Sequence, residues 1–281
     1  VKKTIGPSHR SGGGVSDLRL RVISALVLGM AILGLTYLGG LAFRALCALG
    51  GALILAEWTA MSAGGRGALH RAVLWTGAAG VGLVLLWPLM PLLQLGLLAA
   101  AAGAVAAFGT TERGRSDALG LTYAFLPAIA LADLRGADTA GLFLVLFLFA
   151  IVWATDIAAY FVGLALGGPK LAPSISPGKT WSGAAGGLAG GVAAGVIVAL
   201  AANVASGTAA LLALVLSAVS QIGDLFESAV KRRFGAKDSS RLIPGHGGLM
   251  DRVDGLVAAA ICLYLLLGLM PDLLDFGGSR G

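Results

Sequence analysis

Charge is scarce along this chain. Asp, Glu, Lys and Arg make up 12% of its 281 residues, about half the share usual in a soluble domain. That scarcity excludes a protein built mainly of water-soluble domains, and no polar stretch is long enough to form one separately. Cysteine is scarcer still. Cys47 and Cys262 are the only two, both inside apolar runs and far apart; they exclude a disulfide framework or a paired-thiolate metal site and read as small core residues. Three histidines in all leave little for an imidazole-rich metal centre. A G-x-x-x-x-G-K-[ST] phosphate loop is also missing, because Pro177-Gly178-Lys179-Thr180 lacks the first glycine at the required place.

What is abundant is apolar surface. The chain is 57% hydrophobic, with 44 glycines and a mean hydropathy of +0.90. Continuous apolar runs of the length a spanning helix needs recur along it, without the alternation of a barrel strand. The expected fold is all-α, a polytopic membrane helix bundle of about nine transmembrane helices, at roughly 21–39, 41–62, 70–87, 89–108, 117–133, 138–166, 180–202, 208–230 and 252–270. The first of these is too long for a signal-peptide core, lacks a clear cleavage site and is followed by further spans, so it is expected to be retained. Trp87-Pro88 and Pro91 mark a tight turn between the third and fourth.

Placing the N-terminus in the cytoplasm puts 17 of the 20 Lys and Arg residues on the inner side and leaves Arg44, Arg135 and Arg280 outside, as the positive-inside rule requires. The net charge of +6 is then a topological bias and not a sign of a nucleic-acid partner. The organisation expected is a basic cytoplasmic segment over 1–20, N-terminal spans over 21–133, and a C-terminal catalytic region over 134–281 with cytoplasmic loops at 167–180 and 231–251.

Some residues sit oddly in this setting. Gly183, Gly187, Gly191 and Gly195 recur every four residues in the seventh span, a period that lets helices approach closely; it fits packing inside one bundle or an interface in a homodimer. Glu57, Asp156, Asp224 and Glu227 place acids in or at the edge of apolar spans, where an ionisable group costs a few kcal/mol. Glu57, beside Trp58 near a span end, reads as a group reaching the interface. Asp156, Tyr160, Gly163 and Gly167 share one helix face, which fits a structural polar contact or a ligand site equally. Asp224, Glu227, Ser228 and Lys231 share another face; a Glu227–Lys231 pair would be self-neutralising but leaves Asp224 unexplained.

The most polar stretch follows, from Ser228 to Asp254, and holds six of the Lys and Arg residues and three of the Asp and Glu residues. Pro244-Gly245 and Gly247-Gly248 predict a turn that brings the start of the ninth helix back to the end of the eighth, gathering Asp224 and Asp251, with Asp254 one turn on. Carboxylates without thiols favour a hard cation, magnesium (Mg2+) foremost. Neighbouring Lys and Arg favour phosphate oxygens, and Gly247-Gly248 before a helix offers N–H groups to an anion. Such a set belongs to phosphoryl or nucleotidyl transfer. A basic loop that only anchors the chain to anionic headgroups is the plainer alternative, but the interleaved acids and the Gly-Gly pair speak against it. A second loop, Lys170 to Trp181, is expected to start the seventh helix with Ser176 as N-cap and Pro177 in the first turn, setting Lys179 and Thr180 at its positive end.

Ser228 to Asp254 resembles, at every position, the signature S-x-[aliphatic]-K-R-x4-K-D-x-[small]-x2-[apolar]-[Pro/Gly]-x-H-G-G-[apolar]-x-D-R-[apolar]-D of the CTP:phosphatidate cytidylyltransferases, or CDP-diacylglycerol synthases. Asp156-x-x-Ala159-Tyr160-x-x-Gly163, Leu171-Ala-Pro173-x-x-Ser176-Pro177-x-Lys179-Thr180-Trp181 and Ser220-Gln221-x-Gly223-Asp224-x-x-Glu227-Ser228 fit as well. The close resemblance runs from about Trp153 to Leu256; the first half matches only as a hydrophobic bundle. The family usually continues Thr-Trp with Glu-Gly, where Ser182-Gly183 stands here, and often has Lys in place of Gly178, so these two positions are assigned no role.

The resemblance implies a multi-pass enzyme of the cytoplasmic membrane that joins CTP to phosphatidate, releasing pyrophosphate. It implies a magnesium centre at Asp224 and Asp251, with Asp254 close by, and phosphate contacts from Lys179, Lys231, Arg232 and Lys237. His246 is expected to touch a nucleotide phosphate or orient Asp251, while Asp156, Ser228 and Arg252 complete the substrate set. A CTP-dependent lipid-alcohol kinase is disfavoured by the intact signature. A secondary transporter would show paired repeats, and a scaffold gives no reason for Asp224, Asp251 and Asp254 together.

Overall fold

The computed structural model describes residues 14–62, 65–243 and 247–274. Among them nine α-helices run in chain order: α1 Gly14–Leu38, α2 Gly40–Met61, α3 Ala68–Leu85, α4 Pro91–Phe108, α5 Thr111–Arg135, α6 Thr139–Leu166, α7 Trp181–Ala201, α8 Ser206–Arg233 and α9 Met250–Leu269. Eight of them, α2 to α9, are long and apolar enough to cross a membrane; the apolar part of α1, Val22–Leu38, is shorter. The protein is a multi-pass membrane bundle, and its helices fall where the apolar runs predict them.

Local chemistry sets the ends. Asp138 caps α6 by accepting from the Gly141 N–H at 2.8 Å, and Pro91 opens α4 at a position where its missing N–H costs nothing. α6 ends because Gly167 takes a left-handed conformation at φ 59°, which redirects the chain out of the helix. Consecutive helices pack beside one another, so the ends of α2, α4, α6 and α8 and the starts of α3, α5, α7 and α9 lie at one end of the bundle, as the Arg66–Asp117, Trp58–Phe234 and Arg232–Ile175 contacts require.

The segment after α6 departs from expectation. Lys170–Ala172 (β1) and Ser176–Thr180 (β2) form an antiparallel hairpin that pairs Lys170 with Thr180 and Ala172 with Ser176. Ser176 is therefore a strand residue and not the N-cap. The cap of α7 is Thr180, whose Oγ1 accepts from Gly183 N–H at 3.1 Å. Backbone pairing across the hairpin overrides the helix-start reading of Ser176-Pro177.

The glycine stripe is used inside the chain. Gly183, Gly187, Gly191 and Gly195 are buried in α7. A Cβ on Gly187 would stand 3.0 Å from the Thr155 carbonyl oxygen of α6, and one on Gly191 would stand 2.8 Å from Ser217 Oγ of α8. The close approach lets Thr155 and Ser217 hydrogen-bond at 2.7 Å in the core, an interhelical contact worth about 1 kcal/mol in a membrane.

Two buried polar clusters fasten the N-terminal helices. At the end away from the hairpin, Arg44 of α2 pairs with Asp133 of α5 at 3.3 Å and donates to the carbonyls of Leu85 and Trp87, while Tyr264 of α9 donates to Asp133 at 3.3 Å. At the hairpin end, Arg66 forks onto both oxygens of Asp117, at 2.6 and 2.7 Å, and His70 meets the same carboxylate at 2.8 Å. Breaking a buried pair by removing one partner costs about 3–5 kcal/mol.

Candidate active site

The site is built where α6, α7, α8, α9 and the hairpin meet. A cleft of about 540 Å³ opens there, lined by Asp156 and Tyr160 of α6, Lys170 and Lys179 of the hairpin, and Gln221 and Asp224 of α8. α6 presents Asp156 and Tyr160 on the open side. Its bare position at Gly163 admits the start of α7, since a Cβ there would be 3.0 Å from Thr180 Oγ1 and 3.4 Å from Gly183 Cα. The bare half of that face thus receives protein backbone, while the polar half faces the cleft.

Lys179, at the end of β2, forms an ion pair with Asp224; both are only partly exposed, at 28% and 26%. The hairpin therefore holds an ammonium over the carboxylate of α8. Ser228 lies one turn further on, with its Oγ 3.5 Å from Asp224 Oδ1. Asp254 of α9 lies in the electrostatic field of Asp224, Asp156 and Lys179, and Arg252 lies in that of Asp156. Asp156 and Asp224 thus line the cleft from two helices, with Lys179 between the hairpin and α8, and Asp254 of α9 lies within their electrostatic reach.

A second centre stands beside it. Lys231 Nζ lies 2.7 Å from Glu227 Oε2 and 2.7 Å from Asp251 Oδ1. Glu227 is fully buried and Lys231 nearly so, at 13%. Asp251 also accepts from the Ser239 N–H at 2.9 Å and the Gly248 N–H at 2.9 Å, and its Oδ2 lies 3.0 Å from the Ser239 hydroxyl oxygen. The start of α9 does come back to the end of α8, where Asp251 meets Lys231; Pro244 and Gly245, which led to that expectation, lie outside the described residues. This return delivers Asp251 to Lys231 and Ser239, whereas Asp254, one turn on, is the α9 acid that feels the charges of Asp224 and Asp156. Among the described residues no three His, Cys, Asp or Glu side chains form a ready metal cage.

The remaining expected residues are spread around these centres. Arg232 ties the hairpin to the loop, with Nε 3.4 Å from the Ile175 carbonyl and Nη1 3.2 Å from that of Ala236. Lys237 and Arg252 are exposed at the same end. His246 lies outside the described residues. Ser182 donates to the Gly167 carbonyl, joining α7 to the end of α6.

Sequence reasoning misjudged Glu57 and passed over Ser239. Glu57 does not reach an interface. It is buried at 4% exposure and accepts four hydrogen bonds, from the hydroxyls of Ser239 at 2.9 Å and Ser240 at 2.7 Å and from the N–H groups of Leu249 at 2.8 Å and Met250 at 2.7 Å. The N–H groups expected to greet a bound anion beyond Gly247-Gly248 thus meet the chain's own carboxylates. An acid within an apolar span was the one available signal; its partners lie more than 180 residues away in sequence. Trp58 adds a second tie, packing edge-on against Phe234 of the loop with ring centroids 5.8 Å apart.

Fold and site together define a multi-pass helical membrane protein with a carboxylate-and-lysine cleft at one end of the bundle. The chain belongs to the cytidylyltransferase family, whose pattern it matches over residues 19–270. It is 51% identical over 253 residues to the phosphatidate cytidylyltransferase of Brucella suis, covering 89% of this chain and 93% of that protein. It is 49% identical over 265 residues to that of Brucella abortus, covering 93% and 98%. The phosphatidate cytidylyltransferase of Pseudomonas aeruginosa is 56% identical over 128 residues, 44% of this chain and 47% of that protein.

Proposed function

We propose that the chain converts phosphatidate and CTP to CDP-diacylglycerol and pyrophosphate, a step of phospholipid synthesis carried out in the membrane. The observation that carries this reading is the family match across residues 19–270. The cleft is of the kind the chemistry needs, with lysines for phosphate oxygens beside carboxylates for a cation. The positive-inside bias supports a cytoplasmic N-terminus, and with it a hairpin and signature loop that face cytoplasmic CTP at the inner membrane.

A phosphatidate phosphate oxygen attacks the α-phosphorus of CTP. The new P–O bond forms as the bond to the β-phosphate oxygen breaks, and pyrophosphate leaves with the electron pair. No general base is required, because a phosphate monoester is already anionic at neutral pH. Lys179, paired with Asp224, and Lys231, paired with Glu227 and Asp251, are assigned to phosphate oxygens, with Arg232 and Lys237 extending the positive surface outward. Asp156, Ser228 and Arg252 line or flank the same cleft, and His246 is assigned to a nucleotide phosphate or to Asp251.

The donor set fits magnesium. It consists of carboxylate oxygens without thiols, and magnesium takes one or two carboxylates and fills its shell with water and phosphate oxygens. Asp224 would hold it together with Asp254, the α9 acid within its electrostatic reach, and the expected Asp251 would contribute from the adjoining Lys231 centre; bound there it would neutralise the charge of the triphosphate as pyrophosphate departs.

The test is to incubate the detergent-purified protein with phosphatidate and labelled CTP, with and without magnesium. The expected result is CDP-diacylglycerol and an equal amount of pyrophosphate, only with magnesium. A folded sample that makes neither product would overturn the reading.

A further inference from the structure

We propose that Glu57, on α2 and outside the signature stretch, is a positioning residue that sets Asp251 through Ser239 and holds the start of α9. The inference rests on the reaction proposed above and goes beyond it, because it ties turnover to a buried carboxylate in the N-terminal half of the chain, far in sequence from the signature stretch.

The geometry is specific. An ionised carboxylate offers about four lone-pair sites, and Glu57 fills them with four donors at 2.7–2.9 Å. Two of these are the N–H groups of Leu249 and Met250 at the start of α9, groups a helix cannot satisfy internally. Its negative charge also meets the positive end of the α9 dipole. Glu57 is therefore an N-cap supplied from another helix; Leu249, the residue at the cap position, makes no side-chain cap.

The other two donors are the Ser239 and Ser240 hydroxyls of the signature loop. Ser239 Oγ lies 2.9 Å from Glu57 Oε2 and 3.0 Å from Asp251 Oδ2. A hydroxyl has one proton, so it donates to one carboxylate at a time. When Asp251 turns an oxygen to a cation or to Lys231, Glu57 takes the Ser239 proton and the loop keeps its place. The Ser239 N–H stays on Asp251, at 2.9 Å.

Gly248 agrees independently. A Cβ at this position would stand 2.7 Å from Glu57 Oε1 and 2.8 Å from Oε2. The second glycine of His246-Gly247-Gly248 is thus the clearance that lets the Glu57 carboxylate reach the helix start.

The test compares wild type, Glu57→Gln, Ser239→Ala, the double variant, Asp251→Asn and Asp133→Asn. It reads kcat, KM for phosphatidate, the magnesium concentration for half-maximal activity and the thermal midpoint in detergent. Glu57→Gln keeps the shape but turns an NH2 towards donors; it is expected to lower kcat and raise the magnesium requirement about 10–100-fold, the usual effect of losing a partner that orients a ligand. KM for phosphatidate should stay within about threefold, since substrate binding in the cleft is untouched. Ser239→Ala keeps both backbone bonds from α9 to Glu57 and serves if Glu57→Gln does not fold; it should shift kcat and the magnesium requirement in the same direction. The double variant should be no worse than the weaker single, because both act on one link. Asp133→Asn, at the far end of the bundle, should lower the thermal midpoint alone. A folded Glu57→Gln or Ser239→Ala with wild-type kcat and magnesium requirement would overturn the proposal, as would a loss of thermal midpoint alone, like that of Asp133→Asn. An Asp251→Asn variant as active as wild type would refute both the role given to Asp251 and the positioning built on it. An inactive wild type would instead remove the reaction itself, and the proposal with it.

Discussion

Lys231 stands between Glu227 and Asp251 at 2.7 Å from each, and the two acids explain its position as much as any substrate does. Replacing it by Met would leave a fully buried Glu227 beside Asp251 with no cation between them. The expected cost is about 3–5 kcal/mol of stability, read as a lower thermal midpoint, together with a fall in turnover of about 100-fold or more. A variant that keeps its thermal midpoint but loses turnover would place the whole role of Lys231 in substrate contact. These roles were legible in part. The spacing of Asp224, Glu227, Ser228 and Lys231 put them on one helix face, and the structure keeps them there. It was not legible that Lys179 would pair with Asp224, or that Asp254 would be the α9 acid within its electrostatic reach, because those choices are made by the fold of the hairpin and the angle at which α9 enters.

At the scale of elements, α7 depends on its lack of side chains. A methyl added at Gly191 would meet Ser217 Oγ at 2.8 Å, forcing α7 away from α6 and α8 and pulling Thr155 from Ser217. Gly191→Ala should cost about 1–3 kcal/mol, measured as a drop in the thermal midpoint. Gly96→Ala in α4, where a Cβ meets nothing within 4 Å, should leave it unchanged. The helices themselves were readable from length and apolarity, since a span must satisfy its backbone within itself. The hairpin was not, because two short strands carry little periodic signal and Ser176-Pro177 is also a good helix opening. Pairing between Lys170 and Thr180 decided between the two.

For the whole molecule, the N-terminal helices are tied to one another and to α9 through a few long-range polar contacts. Arg44 to Asp133, His70 to Asp117 and Glu57 to the start of α9 lock α2 and α3 to α5 and α9. None was visible from spacing, since each joins residues far apart in the chain. The proposed orientation has its own check. In intact cells a membrane-impermeant thiol reagent should label Ala205→Cys, in the connection between α7 and α8, from outside, and Ser174→Cys, at the hairpin tip, only after the cells are opened. Both positions are exposed. The reverse pattern would invert the topology and place the cleft on the side without CTP.

The measurement that bears most directly on the whole account is CDP-diacylglycerol formation by the wild type and by Asp224→Asn, side by side, with magnesium and with folding checked by size-exclusion chromatography. The expected result is product and pyrophosphate in equal amounts from the wild type and a fall of about 100-fold or more in the variant, the scale on which one preorganised charge contact acts. A folded Asp224→Asn that turns over within about tenfold of the wild type would contradict it, and would move the chemistry away from the cleft shared by α6, α8 and the hairpin.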